Sequence, residues 1–155
     1  MIEANGLRFH YREWGDSRTK HALILLHDYA QTSTAWEETA VDLSREYRVI
    51  APDQRGYGQS DRGPGHDYSR ASQVEDLEGM IEALGLRSVT LVGHGMGGAN
   101  AICFAAEHPD VVSALIVIEV APEVLRSGIE TIRRVVATGD EDRKSTRLNS
   151  SHVKR

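Results

Sequence analysis

An α/β domain built on a mostly parallel sheet is what three features of this sequence predict. Aliphatic runs of four or five residues recur along the chain, segments with apolar residues three or four apart lie between them, and each run stops at a polar or glycine-rich loop. Strands buried on both faces read as unbroken apolar runs, whereas half-exposed strands alternate. Strand and helix in repeated succession align the strands in one direction and cover both faces of the sheet. The expected architecture is a three-layer α/β/α domain with an N-terminal hairpin.

The hairpin comes first, because residues 2–14 carry Asn5-Gly6 between short alternating segments, a strong signal for a two-residue turn. Ala22-Leu23-Ile24-Leu25-Leu26 predicts the first parallel strand, ending at His27-Asp28. A helix is expected over 35–46, with Trp36, Ala40 and Leu43 on one side and Thr34 as the candidate cap. Arg48-Val49-Ile50-Ala51 predicts the second strand, closed by Pro52-Asp53, and the glycine-rich stretch 53–65 reads as a loop. Val74, Leu77, Ile81 and Leu84 give helical spacing over 69–84, with Gly85 where a C-terminal cap belongs. The third strand, Val89-Thr90-Leu91-Val92, runs directly into Gly93-His94-Gly95-Met96-Gly97-Gly98 and a small-residue helix over 99–107 that His108-Pro109 stops. Ala114-Leu115-Ile116-Val117-Ile118 predicts a fourth strand ending at Glu119, and a last helix is expected over 127–137.

Composition excludes several classes. The 155 residues suit one domain, 40% of them are hydrophobic, and no run approaches the 18 apolar residues of a membrane helix. Residues 143–155 hold five of the 18 basic residues and no acid, which leaves 13 basic against 23 acidic residues over 1–142, a net of −10. A body so acidic does not attract nucleic acid or an anionic membrane, so neither is an expected partner. The basic segment 143–155 has only Leu148 and Val153 as large apolar residues, and no aromatic residue interleaves its charges. It is expected to be a disordered tail or a stretch foreign to the domain, distinct from residues 1–142. Cys103 is the one cysteine, so neither a disulfide framework nor a cysteine zinc cluster is expected. The first residues lack the basic and apolar regions of a signal peptide, which makes the cytoplasm the expected location.

Ligands of a parallel sheet meet the loops at the carboxyl ends of its strands. Here those loops are His27-Asp28-Tyr29-Ala30, Asp53 to Ser60, Gly93 to Gly98, and Glu119-Val120-Ala121-Pro122. The order and spacing of the first three resemble the α/β-hydrolase family over residues 2–138. The resemblance implies that Gly93, His94, Gly97 and Gly98 frame a nucleophile elbow, a strand-to-helix turn that needs small neighbours. The position that carries the nucleophile in such a turn is Gly95, and glycine has no side chain with which to attack. The flanking Met96-Gly97-Gly98 resembles the serine members more than the aspartate members.

The resemblance also implies an oxyanion hole from the backbone N–H of Met96 and from one in the Asp28–Tyr29 region. The family usually writes His-Gly where this chain writes His27-Asp28, and a carboxylate beside a developing oxyanion raises its energy unless it points away. Either this second donor is lost, or Asp28 faces solvent and contributes its amide alone. Glu119 matches the place where haloalkane dehalogenase-like members keep their triad acid, and is otherwise structural. The family's histidine lies beyond two further strands, and no histidine here occupies that place, so the chain reads as the N-terminal part of a truncated hydrolase domain. His27 and His94 are expected to be structural, as are Asp53 and Arg55 in their loop.

The function expected from this resemblance is hydrolysis of a small-molecule ester, amide or related C–X bond, with this chain itself inactive. Two other readings stand beside it. One is a non-catalytic binding protein on the same fold. The other is a dinucleotide site, since Gly93-x-Gly95-x-x-Gly98 after a strand, with Glu119 ending the next, also fits that pattern. Under the hydrolase reading no cofactor is expected, and the histidine spacing predicts no metal site. The fourth strand, as an apolar sheet edge, makes self-association an expected property.

Overall fold

The computed structural model describes residues 1–19 and 21–120. In chain order its elements are β1 (Ile2–Ala4), β2 (Leu7–Phe9), β3 (Tyr11–Trp14), β4 (His21–Leu26), α1 (Glu37–Leu43), β5 (Arg48–Pro52), α2 (Arg70–Ala83), β6 (Ser88–His94), α3 (Met96–Glu107) and β7 (Val112–Ile118). The helix expected over 127–137 and the basic segment 143–155 lie outside the described residues.

Five strands form the main sheet in the order β3-β5-β4-β6-β7, with β4 to β7 mutually parallel and β3 antiparallel at one edge. The hairpin forms across Asn5-Gly6, where both residues have positive φ (48° and 72°), as the turn that matches strand twist requires. It is a separate two-stranded sheet, however, and β3 leaves it to pair with β5.

The two faces of β4 sort the core. Leu23 and Leu25 pack with Trp36, Ala40, Val49, Ala51 and Val92 on the α1 side. Ala22, Ile24 and Leu26 pack with Val74, Leu77, Ile81, Ala101 and Phe104 on the side of α2 and α3. One strand therefore buries alternate residues against opposite helix layers, which is why its sequence is apolar without interruption.

Helix boundaries depart from the periodic pattern for local reasons. A 3₁₀ turn at Ser33–Trp36 precedes α1, and Thr32, not Thr34, caps it. α1 is correspondingly shorter than 35–46. Ser69 caps α2 by accepting the Ser72 N–H at 3.3 Å, and beyond Gly85 the Leu86 N–H reaches back to the Ile81 carbonyl at 3.0 Å. α3 begins at Met96, three residues before the predicted start, because its first turn contains Gly97 and Gly98, poor helix formers that close packing here favours.

The chain leaves β4 toward β5 on one side and leaves β6 toward β7 on the other, so the crevice of the fold opens at the carboxyl ends of β4 and β6. Their parallel register pairs Leu26 with Gly93. Two residues further along each strand stand Asp28 and Gly95.

Candidate active site

The turn between β6 and α3 holds Gly95 at φ 52°, ψ −115°, a backbone state that side-chain-bearing residues adopt only under strain. Its N–H donates to the Ile118 carbonyl at 3.0 Å, which ties the turn to the end of β7. The neighbouring glycines permit close approach: a Cβ on Gly93 would strike Gly98, and one on Gly97 would strike the Leu26 carbonyl. α3 thus starts pressed against the ends of β4 and β6.

Gly95 offers no side chain to cap α3, so the first amides of the helix need another acceptor. Asp28 supplies it. Its Oδ1 accepts the Met96 N–H at 2.7 Å, where the positive end of the helix dipole favours a carboxylate. A Cβ built on Gly95 would overlap this carboxylate. Of the two sequence alternatives, the solvent-facing one does not hold: the Asp28 side chain fills the volume of the missing residue-95 side chain. The Asp28 amide, expected to face an oxyanion, donates to Gln31 Oε1 at 3.2 Å.

His27 is fully buried beneath this loop. Its Nδ1 bonds the Asp28 carbonyl at 2.8 Å and its Nε2 accepts the Gln54 N–H at 3.0 Å, an arrangement that requires the neutral ring protonated on Nδ1. Burial pushes its pKa down, against the upward pull of the Asp28 carbonyl and the nearby carboxylates. Tyr57 lies edge-on to His27 and to Tyr29, with ring centroids 5.2 and 6.2 Å apart, and its hydroxyl points at Met96 Sδ, 3.8 Å away. Burial raises the Tyr57 hydroxyl to about 12, with the Tyr29 and Asp28 charges adding to the effect. Tyr29 itself is exposed at the rim.

Glu119 sits at the end of β7 with φ 52°, and its carboxylate pairs with His94 Nε2 at 3.2 Å. That side chain is 81% exposed. Of the other histidines, His10 pairs with Asp53 at 2.9 Å, and His108 stacks on Phe104 and faces Glu78 at 3.7 Å.

The glycine-rich loop after β5 is held by Asp53, whose Oδ1 accepts the Ser33 N–H at 2.7 Å and whose Oδ2 accepts from Gln59 and His10. Burial pushes the Asp53 carboxyl up, but these hydrogen bonds outweigh it and leave the group below the ordinary carboxylate range. A chain of polar groups then runs from the buried Gln54 and Asn100 out to the exposed Arg70: Gln54 donates to the His27 carbonyl, Asn100 donates to Gln54 Oε1, and Arg70 donates to Asn100 Oδ1, each within 2.6–2.7 Å. Sequence reasoning missed this chain, since Gln54, Arg70 and Asn100 belong to three different segments. It also missed the use of the Asp28 carboxylate. The available signal was that two adjacent strand ends depart from the family pattern together, an added side chain at 28 and a lost one at 95.

Residues 21–144 match a family model described as the alpha/beta hydrolase fold. The chain belongs to the alpha/beta hydrolase fold family. Among its hydrolase-fold relatives, epoxide hydrolase 4 of Mus musculus is 37% identical over 119 residues, 76% of this chain and 33% of the relative. The soluble epoxide hydrolase of Corynebacterium sp. is 32% identical over 124 residues, covering 80% of this chain and 42% of that protein. Among solved structures, a marine microorganism esterase superposes with a TM-score of 0.76 at 34% identity, over 84% of this chain and 50% of its own. An epoxide hydrolase of Bacillus megaterium gives 0.73 at 27% identity, over 99% and 51%. The chain thus spans about a third to two-fifths of the length of these curated hydrolases.

Proposed function

We propose that this chain supplies the sheet and the elbow turn of a hydrolase site for a small-molecule ester, amide or epoxide, that Asp28 occupies the Met96 N–H that the family resemblance makes an oxyanion donor, and that residue 95 performs no covalent step in it. The observation that carries the reading is the elbow at Gly95: the turn holds a nucleophile's backbone geometry at the switch point of the sheet, with the Met96 N–H beside it. Glycine there leaves nothing to form an acyl or alkyl intermediate. The similarity to both epoxide hydrolases and an esterase supports the substrate class.

Steady hydrolysis of a nitrophenyl ester or of styrene oxide by the 155-residue chain is therefore expected to stay at the level of a heat-denatured sample. Gly95→Ser is expected to recover less than about a hundredfold, because the buried His27 has both ring nitrogens engaged and Asp28 occupies the volume the new side chain needs. Turnover well above the denatured control, or a larger rescue, overturns the reading.

The dinucleotide reading fares worse on the same geometry. A pyrophosphate needs the free amides of the helix start, and Asp28 already places a negative charge on the first of them. Calorimetry with nicotinamide and flavin nucleotides is expected to show no binding. The β7 edge supports a further property, self-association of this chain with a second copy.

A further inference from the structure

The hydrolase reading leaves the carboxylate of Asp28 without a chemical role. It stands where the side chain of residue 95 would stand. Its Oδ1 is fixed by the Met96 N–H at 2.7 Å, and among the described residues its Oδ2 accepts no hydrogen bond. We propose that Asp28 is a relocated nucleophile of this elbow, a carboxylate delivered from the loop after β4 that attacks an electrophilic sp³ carbon such as that of a small epoxide. The proposal rests on the hydrolase reading given above.

Several physical features support the assignment. The register that pairs Leu26 with Gly93 brings Asp28 level with Gly95, so a side chain from either strand end can reach the same point. A carboxylate is a competent nucleophile toward sp³ carbon. One oxygen is anchored by the Met96 N–H, while the other accepts no hydrogen bond among the described residues. Anchoring of this kind converts attack into a positioned, effectively unimolecular event.

The bond changes are as follows. A lone pair on Oδ2 forms a C–O bond to one ring carbon, the ring C–O bond at that carbon breaks, and the departing oxygen takes a proton from solvent water. The product is a 2-hydroxyalkyl ester of Asp28, with Oδ1 now its carbonyl oxygen. That oxygen already accepts the Met96 N–H, the donor placed to stabilise an oxyanion when water later adds to the ester carbon. Addition of water and loss of the diol restore the carboxylate. With residue 95 vacant and both ring nitrogens of His27 engaged, the ester accumulates in this chain.

The experiment is incubation of the folded 155-residue chain with styrene oxide, followed by intact mass measurement and peptide mapping. One molecule is expected to attach per chain, at Asp28, about tenfold or more faster than to the same residue in the urea-unfolded chain. Asp28→Asn keeps an acceptor for the Met96 N–H and is expected to abolish the adduct. Gly95→Ala places a methyl group against the carboxylate and is expected to slow labelling with Asp28 still present. Where circular dichroism shows that variant unfolded, Asp28→Glu replaces it, since one added methylene misplaces the nucleophile and slows the reaction. An adduct that persists in Asp28→Asn, equal labelling of other carboxylates, or wild-type labelling of the folded Gly95→Ala chain each overturns the assignment. So does the absence of any adduct on the folded chain, a result that leaves the hydrolase reading standing, whereas steady turnover of the epoxide strikes at that reading instead.

Discussion

His27 spends both ring nitrogens on the backbone, one as donor to Asp28 and one as acceptor from Gln54, so a second proton on its ring would break the Gln54 contact inside a fully buried site. Burial accordingly lowers its pKa in the folded chain. The unfolded chain then binds the proton more readily, and stability rises with pH wherever it does so. The His27 contribution is complete above the ordinary histidine value of about 6.5 and is lost progressively as pH falls below it, toward the depressed folded value. Urea unfolding at a series of pH values from 7.5 to 5 is expected to show this decline, and His27→Gln to flatten it; an unchanged slope in the variant assigns the decline to other groups. At this scale the sequence revealed the side chain that is missing but not the one that fills its place. Gly95 is legible as a vacancy because the motif fixes which position carries the nucleophile. The direction of the Asp28 side chain depends on the β4–β6 register and on an uncapped helix, and neither is written in the residues around position 28.

Elements were legible to the extent that burial alone defines them. β4 through β7 stand where the aliphatic runs lie, each extended by one to three residues, because a strand covered on both faces has no choice of composition. The hairpin turn was legible for a different reason, the positive φ that Asn-Gly accepts. What joins the elements was hidden, since it depends on pairs distant in sequence. Arg55 in the loop after β5 makes a two-pronged, buried pair with Asp76 of α2, Nε to Oδ2 at 2.5 Å and Nη2 to Oδ1 at 2.6 Å, and also donates to the carbonyls of Asp67 and Ser72. Its hydrogen bonds to Asp76, with the Asp76 charge behind them, raise the Arg55 pKa above its already high ordinary value, so the guanidinium stays charged. Arg55→Ala leaves a buried carboxylate with only Asn5 as side-chain partner among the described residues, and is expected to cost about 3–5 kcal/mol. Arg55→Lys is expected to recover only part of that, because an ammonium cannot reproduce the fork. Denaturant unfolding of the two variants checks both values, and a loss under about 1 kcal/mol for Arg55→Ala means the pair is only a surface-strength contact.

For the molecule as a whole, the two edges of the main sheet are built differently. β3 closes one edge as a short antiparallel strand whose charged residues, Arg12 and Glu13, pair with Glu37 and Arg48, features that discourage further strand addition. β7, at the other, carries Leu115, Ile116, Val117 and Ile118 at 38–50% exposure on both of its faces, and among the described residues its only strand neighbour is β6. An aliphatic run of that kind belongs inside a parallel sheet, and four consecutive residues of it exposed give strong apolar reward to any chain that pairs along the strand. We propose a second copy of β7 as the partner, joined antiparallel about a two-fold axis so that each strand presents the same edge to the other. Sedimentation of the 155-residue chain is expected to show dimers or larger species that grow with concentration. Ile116→Lys, which places a charge at the most exposed of the four positions, is expected to shift the distribution toward monomer without loss of the helical circular dichroism signal. A wild-type chain that sediments as a stable monomer and unfolds cooperatively means that β7 is covered from within the chain.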